Sequence, residues 1–266
     1  MRDDLSMCWT RLRGFTLVEV LLAMAVASLL MVTLLTILSK SMDVSKQTNA
    51  RMLSKSSAQA ALDVMETDLD SLVVNRNAGE ILAITNTPVS GASASMTKAA
   101  TIYCLTTSME DSFTTNNSGN SGLPRLVQYM ISYTNSYAST NPCFALYRNI
   151  IDPTNTFNSV IGTQDLTTVT TAYSNYPLVP NVVGMSCTLY TNYGAGVWSN
   201  SGTTSTAIYS TNFPTGVVVE ISLTVLDESV MPRFGSGNGV GNNSATNLIR
   251  QYGRTLIRRV NLPSPP

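Results

Sequence analysis

A single carboxylate, Glu19, stands inside an otherwise apolar run from Phe15 to Leu38, and its type and position demand a chemical explanation. A carboxylate placed in hydrocarbon costs on the order of 3 kcal/mol and normally marks a functional partner. Other groups able to do chemistry are sparse. The chain has no histidine, which excludes Ser-His-Asp and Cys-His nucleophiles and histidine metal sites. Asp152, Asp165, Asp227 and Glu228 could in principle work as acid and base, but they fall in polar stretches where carboxylates are solvated. The glycines at 235, 237, 239 and 241 lack the strand-to-helix setting and the lysine of a phosphate-binding loop, and read as flexible surface. Cys8, Cys104, Cys143 and Cys187 show no C-x-x-C spacing for zinc. No catalytic residue, metal site or cofactor is expected, and the chain reads as a protein that is not an enzyme.

The elements that position Glu19 follow from composition and patterning. Of 266 residues, 16 are Lys or Arg and 16 are Asp or Glu, a balance that argues against a basic nucleic-acid-binding surface, so no nucleic acid is expected as a partner. The apolar run reaches about 36 Å as a helix, enough to cross a hydrocarbon core of about 30 Å. Arg11 and Arg13 before it predict a cytoplasmic N-terminus, with the residues after Leu38 exported. A conventional secretory signal would be cut after Ala25-Val26-Ala27, yet the run continues well past that site to Leu38. A plain signal anchor leaves Glu19 unexplained.

Both features are accounted for by a third reading. The stretch Arg13-Gly14-Phe15-Thr16-Leu17-Val18-Glu19-Val20 resembles the N-terminal signal of type IV pilins and type II secretion pseudopilins. The resemblance implies that a prepilin peptidase cuts between Gly14 and Phe15 and methylates the new amine of Phe15. It also implies that Glu19, then the fifth residue, serves in assembly by pairing with the N-terminal amine of a neighbouring subunit. A buried charge is tolerable chiefly when an opposite charge neutralises it.

Beyond Leu38 the chain turns polar without Pro or Gly to stop a helix, and Ala58, Ala61, Leu62, Met65, Leu69 and Leu72 recur at three- and four-residue spacing. These residues predict an apolar stripe that packs on a following domain, and Asp63, Glu66, Asp68 and Asp70 read as a solvated helix face. Asn75, Asn77 and Gly79 supply the stop. Ser, Thr and Asn make up almost a third of the chain, and the remainder reads as strands separated by turn residues. Strands are expected at 100–105, 126–133, 143–149, 182–190, 216–226 and 255–262. The odd positions Val217 to Val225 and Val183 to Leu189 are apolar and alternate with polar residues, as in a sheet packed on one side. The fold class is therefore α+β, a long N-terminal helix packed on antiparallel sheets. The expected divisions are a leader at 1–14, a transmembrane half-helix at 15–38, an amphipathic half at 39–75 and a β-rich domain at 76–266.

The order of features is most similar to the J-type minor pseudopilins. Leu62-Asp63-Val64-Met65-Glu66-Thr67-Asp68-Leu69 resembles their leucine-and-acid helix end. Val127-Gln128-Tyr129-Met130-Ile131 with Leu146-Tyr147-Arg148 resembles their hairpin, ahead of Trp198, a Pro214-led strand and a closing arginine-rich strand. The resemblance implies a structural subunit in the inner membrane, its C-terminal domain periplasmic, partnered by I- and K-type minor pseudopilins and the major pseudopilin at or near the tip of a pseudopilus. A cassette C-type pseudopilin, a minor pilin of a type IV pilus acting in adhesion or DNA uptake, and a membrane-tethered β-rich binding module offering Tyr173, Tyr176, Tyr190, Tyr193 and Trp198 are the alternatives. Removal of Cys8 with the leader leaves Cys104, Cys143 and Cys187, all in expected strands, as either buried thiols or one disulfide whose pairing stays open.

Overall fold

The computed structural model describes residues 16–74, 79–89, 98–107, 123–134, 143–151, 153–160, 165–168, 174–190, 206–209, 216–228, 230 and 242–263. Gly14, Phe15, Trp198 and the glycine-rich stretch at 235–241 lie outside them. Helix α1 is continuous over Leu17–Asp70. The chain divides into two compact units, Met1–Asn49 and Ala50–Pro266.

In the first unit every described residue from Thr16 to Leu38 is exposed. The helix is long and apolar enough to cross a membrane. Its hydroxyls are satisfied within the helix: Ser28 donates to the Ala25 carbonyl, Thr33 to Leu30 and Thr36 to Val32, each at 2.8 Å. Such back-bonding removes the cost that a free hydroxyl would carry in hydrocarbon.

In the second unit, Ala58, Ala61, Leu62, Met65 and Leu69 of α1 are buried along the expected stripe. The helix stops at Asp70, short of the expected amphipathic half at 39–75, because the next residues join a sheet. Val73 donates to the Leu105 carbonyl at 2.9 Å, Thr107 donates to that of Ser71 at 3.0 Å, and Leu72 bridges to Thr106.

The strands are β1 (Glu80–Pro88), β2 (Lys98–Thr106), β3 (Arg125–Thr134), β4 (Cys143–Ile151), β5 (Ser174–Pro180), β6 (Val182–Tyr190), β7 (Thr206–Tyr209), β8 (Val218–Val225) and β9 (Arg254–Asn261). Helix α2 (Pro153–Val160) and a 3-10 turn (Leu166–Thr168) follow β4, and α3 (Asn242–Tyr252) precedes β9. One sheet has the order β5-β4-β3-β2-β1-β7 and the other β6-β8-β9, with all neighbours antiparallel. One buried cluster joins the helical stripe to both sheets, through residues such as Ile102, Leu146, Cys187, Ile221 and Val260.

All six expected strands are present, and β6 and β8 bury their odd-numbered residues as the alternation requires. Three strands lacked a readable signal. In β1, Ile81, Leu82, Ala83 and Ile84 are all buried, so this interior strand is covered on both faces and has no alternation to read. Strand β5 carries Pro177 and Pro180, tolerated because it is a sheet edge. Strand β7 is only four residues long. Between β5 and β6 the chain changes sheet across one residue, Asn181, at φ 63°, a conformation asparagine adopts more readily than most.

Candidate functional site

The first site element is the start of α1. Thr16 caps the helix: its hydroxyl accepts the Glu19 N–H at 3.3 Å and its carbonyl accepts the same N–H at 3.0 Å. Thr16-Leu17-Val18-Glu19 thus has the spacing of a capping box, in which the glutamate would also return a bond to the cap. That return bond is missing among the described residues, so a local capping role does not absorb the Glu19 carboxylate. The side chain is exposed on the apolar helix and available to a cation from outside the chain.

The second element is a buried polar anchor at the other end of α1. Tyr129 on β3 and Arg148 on β4 sit directly opposite each other. Asp68 reaches this pair from the helix. The Arg148 guanidinium donates from Nε to Asp68 Oδ2 and from Nη2 to Oδ1, both at 2.8 Å, and the Tyr129 hydroxyl donates to Oδ2. Asp68 is 1% exposed and Arg148 4%. The bidentate fork fixes geometry as well as charge, since both oxygens and both nitrogens must align. Burial, followed by the Asp68 charge, holds the Tyr129 phenol well above its usual pKa, so it stays a donor.

Asp68 is therefore not part of a solvated face, contrary to expectation. Its place in the stripe was visible: it lies three residues after Met65 and one before Leu69, inside the apolar arc. Tyr129 likewise shares the inward alternation of Val127 and Ile131, and Arg148 that of Leu146. Asp63 and Glu66, further round the helix, hold Arg258 of β9: its Nη2 donates to Asp63 at 2.9 Å, and its Nε to Glu66 at 2.7 Å. The acids at 63, 66, 68 and 70 are thus divided between two arginines and solvent.

Of the loop carboxylates, Asp227 is buried and accepts from Arg51 at 3.1 Å, whereas Asp165 and Glu228 are exposed. Asp152 lies outside the described residues. On the sheet face opposite α1, Ala83, Tyr103, Leu126, Ile151 and Leu166 form a second buried cluster. At its edge Glu80, 4% exposed, accepts the Leu166 N–H at 2.5 Å. Burial raises the Glu80 carboxyl to about 7, against the Leu166 hydrogen bond and with help from the nearby Asp165 charge. Sequence reasoning missed Glu80, because nothing in a lone glutamate at a strand start signals burial.

Cys104 and Cys187 are free, buried thiols, both raised in pKa chiefly by burial. The Cys143 side chain lies outside the described residues. Of the aromatic set, Tyr176 and Tyr190 sit on different sheets.

Comparison with known proteins gives one family match. Residues 9–35 match the family described as the prokaryotic N-terminal methylation motif. No curated protein matches the chain. The matched span includes Gly14, Phe15 and Glu19 and the first turns of the exposed apolar helix. Match and helix together support a type IV pilin-like protein, processed by a prepilin peptidase and assembled in a pilus-like manner, with one helix among the described residues that is long and apolar enough to anchor it in a membrane.

Proposed function

We propose that this protein is a structural minor pseudopilin of a type II secretion pseudopilus, without bond chemistry of its own. In this reading the peptidase cuts between Gly14 and Phe15, and the Phe15 amine is methylated. The processed subunit stands in the inner membrane with its sheets in the periplasm until it joins the filament at or near the tip, beside I- and K-type partners and the major pseudopilin. The observation that carries the reading is the exposed Glu19 carboxylate, without a partner among the described residues, within the methylation-motif segment. Retention of that carboxylate suits a subunit that accepts a neighbour's amine as it leaves the bilayer, where an unpaired charge is costly. The leucine-and-acid helix end and the Tyr129 and Arg148 hairpin support the J type, and the structure joins those two motifs in one ion-paired anchor.

The test is N-terminal mass analysis of the protein from its native membranes, together with deletion of its gene. A start at N-methylated Phe15 and loss of protein export are expected. A start at Ser28 or Met1 overturns the pilin-like reading, whereas correct processing with intact export and lost twitching or DNA uptake transfers the protein to a type IV pilus.

A further inference from the structure

Strand β9 ends its sheet: among the described residues it pairs with β8 and with no other strand. The hydrogen bond from Leu262 N–H to the Val217 carbonyl, at 2.9 Å, continues the β8·β9 register and fixes its phase. Alternation then turns the N–H and C=O of Leu256 and Arg258 toward β8, and those of Thr255, Ile257 and Arg259 toward the open edge. Ile257 is 60% exposed. Beside this edge lies a groove of about 440 Å³, walled by Gln59, Leu62 and Asp63 of α1 and by Leu256, Ile257 and Arg258 of β9. An added strand would find backbone partners at the edge and a largely polar groove on one face.

Charge selects the occupant. Strand β9 contains three arginines and no acid. Arg258 and Arg259 are answered by Asp63, Glu66 and Glu220, but Arg254 and, just before it, Arg250 are exposed with no acid in ion-pair range among the described residues. Two copies of this edge laid side by side would crowd arginines, and like charges on paired strands are destabilising. A strand alternating apolar residues with carboxylates would instead seat its apolar side chains over Ile257 on one face and present its acids on the other, the face that Arg254 shares with Leu256 and Arg258.

We propose that the open edge of β9, with the groove between it and α1, is a docking site for an extended acidic segment of another protein, added as a fourth strand next to β9. The inference rests on the geometry of residues 50–266 and stands independently of the secretion reading.

The test uses the full chain in detergent micelles and a fluorescein-labelled peptide of alternating Val and Glu, read by fluorescence anisotropy. Amide hydrogen exchange at Thr255, Ile257 and Arg259 is followed in parallel. Saturable binding is expected, with slowed exchange at those three amides. A matched Val and Lys peptide should bind at least about tenfold more weakly. Ile257→Pro removes an edge donor that β8 does not use, and should also weaken binding at least about tenfold while thermal unfolding stays near wild type. Arg254→Glu keeps the backbone intact and should reverse the preference between the two peptides. No saturable binding, binding indifferent to both variants, or protection elsewhere in the sheet overturns the proposal. So does a concentration-dependent dimer that Ile257→Pro abolishes, which would make a second copy the occupant.

Discussion

Replacing Asp68 by Asn tests whether the polar anchor holds α1 to the β-sheet of the second unit. The substitution keeps shape and one carbonyl acceptor but deletes the negative charge beside Arg148, which is 4% exposed and donates from Nε and Nη2 to Asp68. Three charge-assisted bonds at about 1.5–3 kcal/mol each would suggest a large loss, but water solvates the same groups in the unfolded chain. The decisive quantity is the loss of the Asp68 carboxylate as a charge partner of the buried guanidinium, worth about 3–5 kcal/mol. Because Asn retains an acceptor, the lower end applies, about 3 kcal/mol. For a unit of this size that corresponds to a fall in Tm of roughly 6–12 °C. Near-UV circular dichroism of the full chain in micelles reads the loss, since it reports tyrosine packing rather than the helix that the micelle itself supports. The double variant Asp68→Leu with Arg148→Met removes both charges together and should recover to within about 1.5 kcal/mol of wild type. A loss below about 1 kcal/mol for Asp68→Asn, or a double variant as unstable as the single one, refutes the assignment of the anchor as a buried, mutually dependent pair.

Two further predictions concern ionisation. Glu80 has a raised carboxyl pKa in the folded state, so the unfolded chain releases this proton first and stability should fall as pH rises from about 4.5 to about 7, then level off. After allowance for solvent screening the step is about 1–2 kcal/mol. Glu80→Gln should abolish it and raise Tm at pH 8, which a pH series of thermal melts would detect; an unchanged slope in the variant refutes the burial argument. Cys104 and Cys187 are free, buried and raised in pKa, so both should resist iodoacetamide at pH 8 in the folded protein and react on unfolding. Peptide mass mapping with and without denaturant checks this, and labelling of either thiol in the folded chain refutes it.

The parts of the fold legible in the sequence are those where one face is wet and the other dry. Strand β8 displays its alternation because Val219, Ile221 and Leu223 are buried while Glu220 and Ser222 are half-exposed. The α1 stripe is equally plain, with Ala58, Ala61, Leu62 and Met65 one helical turn apart. Signals vanish where both faces have the same environment, as in β1, where four consecutive apolar residues are buried. They also mislead where the binding partner is distant in sequence. Helix α3 falls in a stretch rich in Asn, Ser and Gly, whose local preferences favour turns. Its last turn closes on Gly253, which donates to the Ile249 carbonyl at 2.7 Å, where a Cβ would lie 2.3 Å from that oxygen.

The site divides in the same way. Glu19 was legible because its surroundings are local: one carboxylate within a contiguous apolar helix is conspicuous without any fold. Asp68 was misread because its partner is 80 residues away. On the helix alone, an aspartate among Asp63, Glu66 and Asp70 looks like one more solvated acid. It becomes distinct only when three periodicities are combined: the helical arc that places it beside Met65 and Leu69, and the two strand alternations that place Tyr129 and Arg148 on the inner face. An acid, a phenol and a guanidinium each assigned inward by its own element's period cannot all remain unpaired, since each would then carry the cost of a buried polar group. Inward-facing charges of opposite sign on different elements are therefore a constraint on tertiary packing. Here that constraint brings α1 onto β3 and β4.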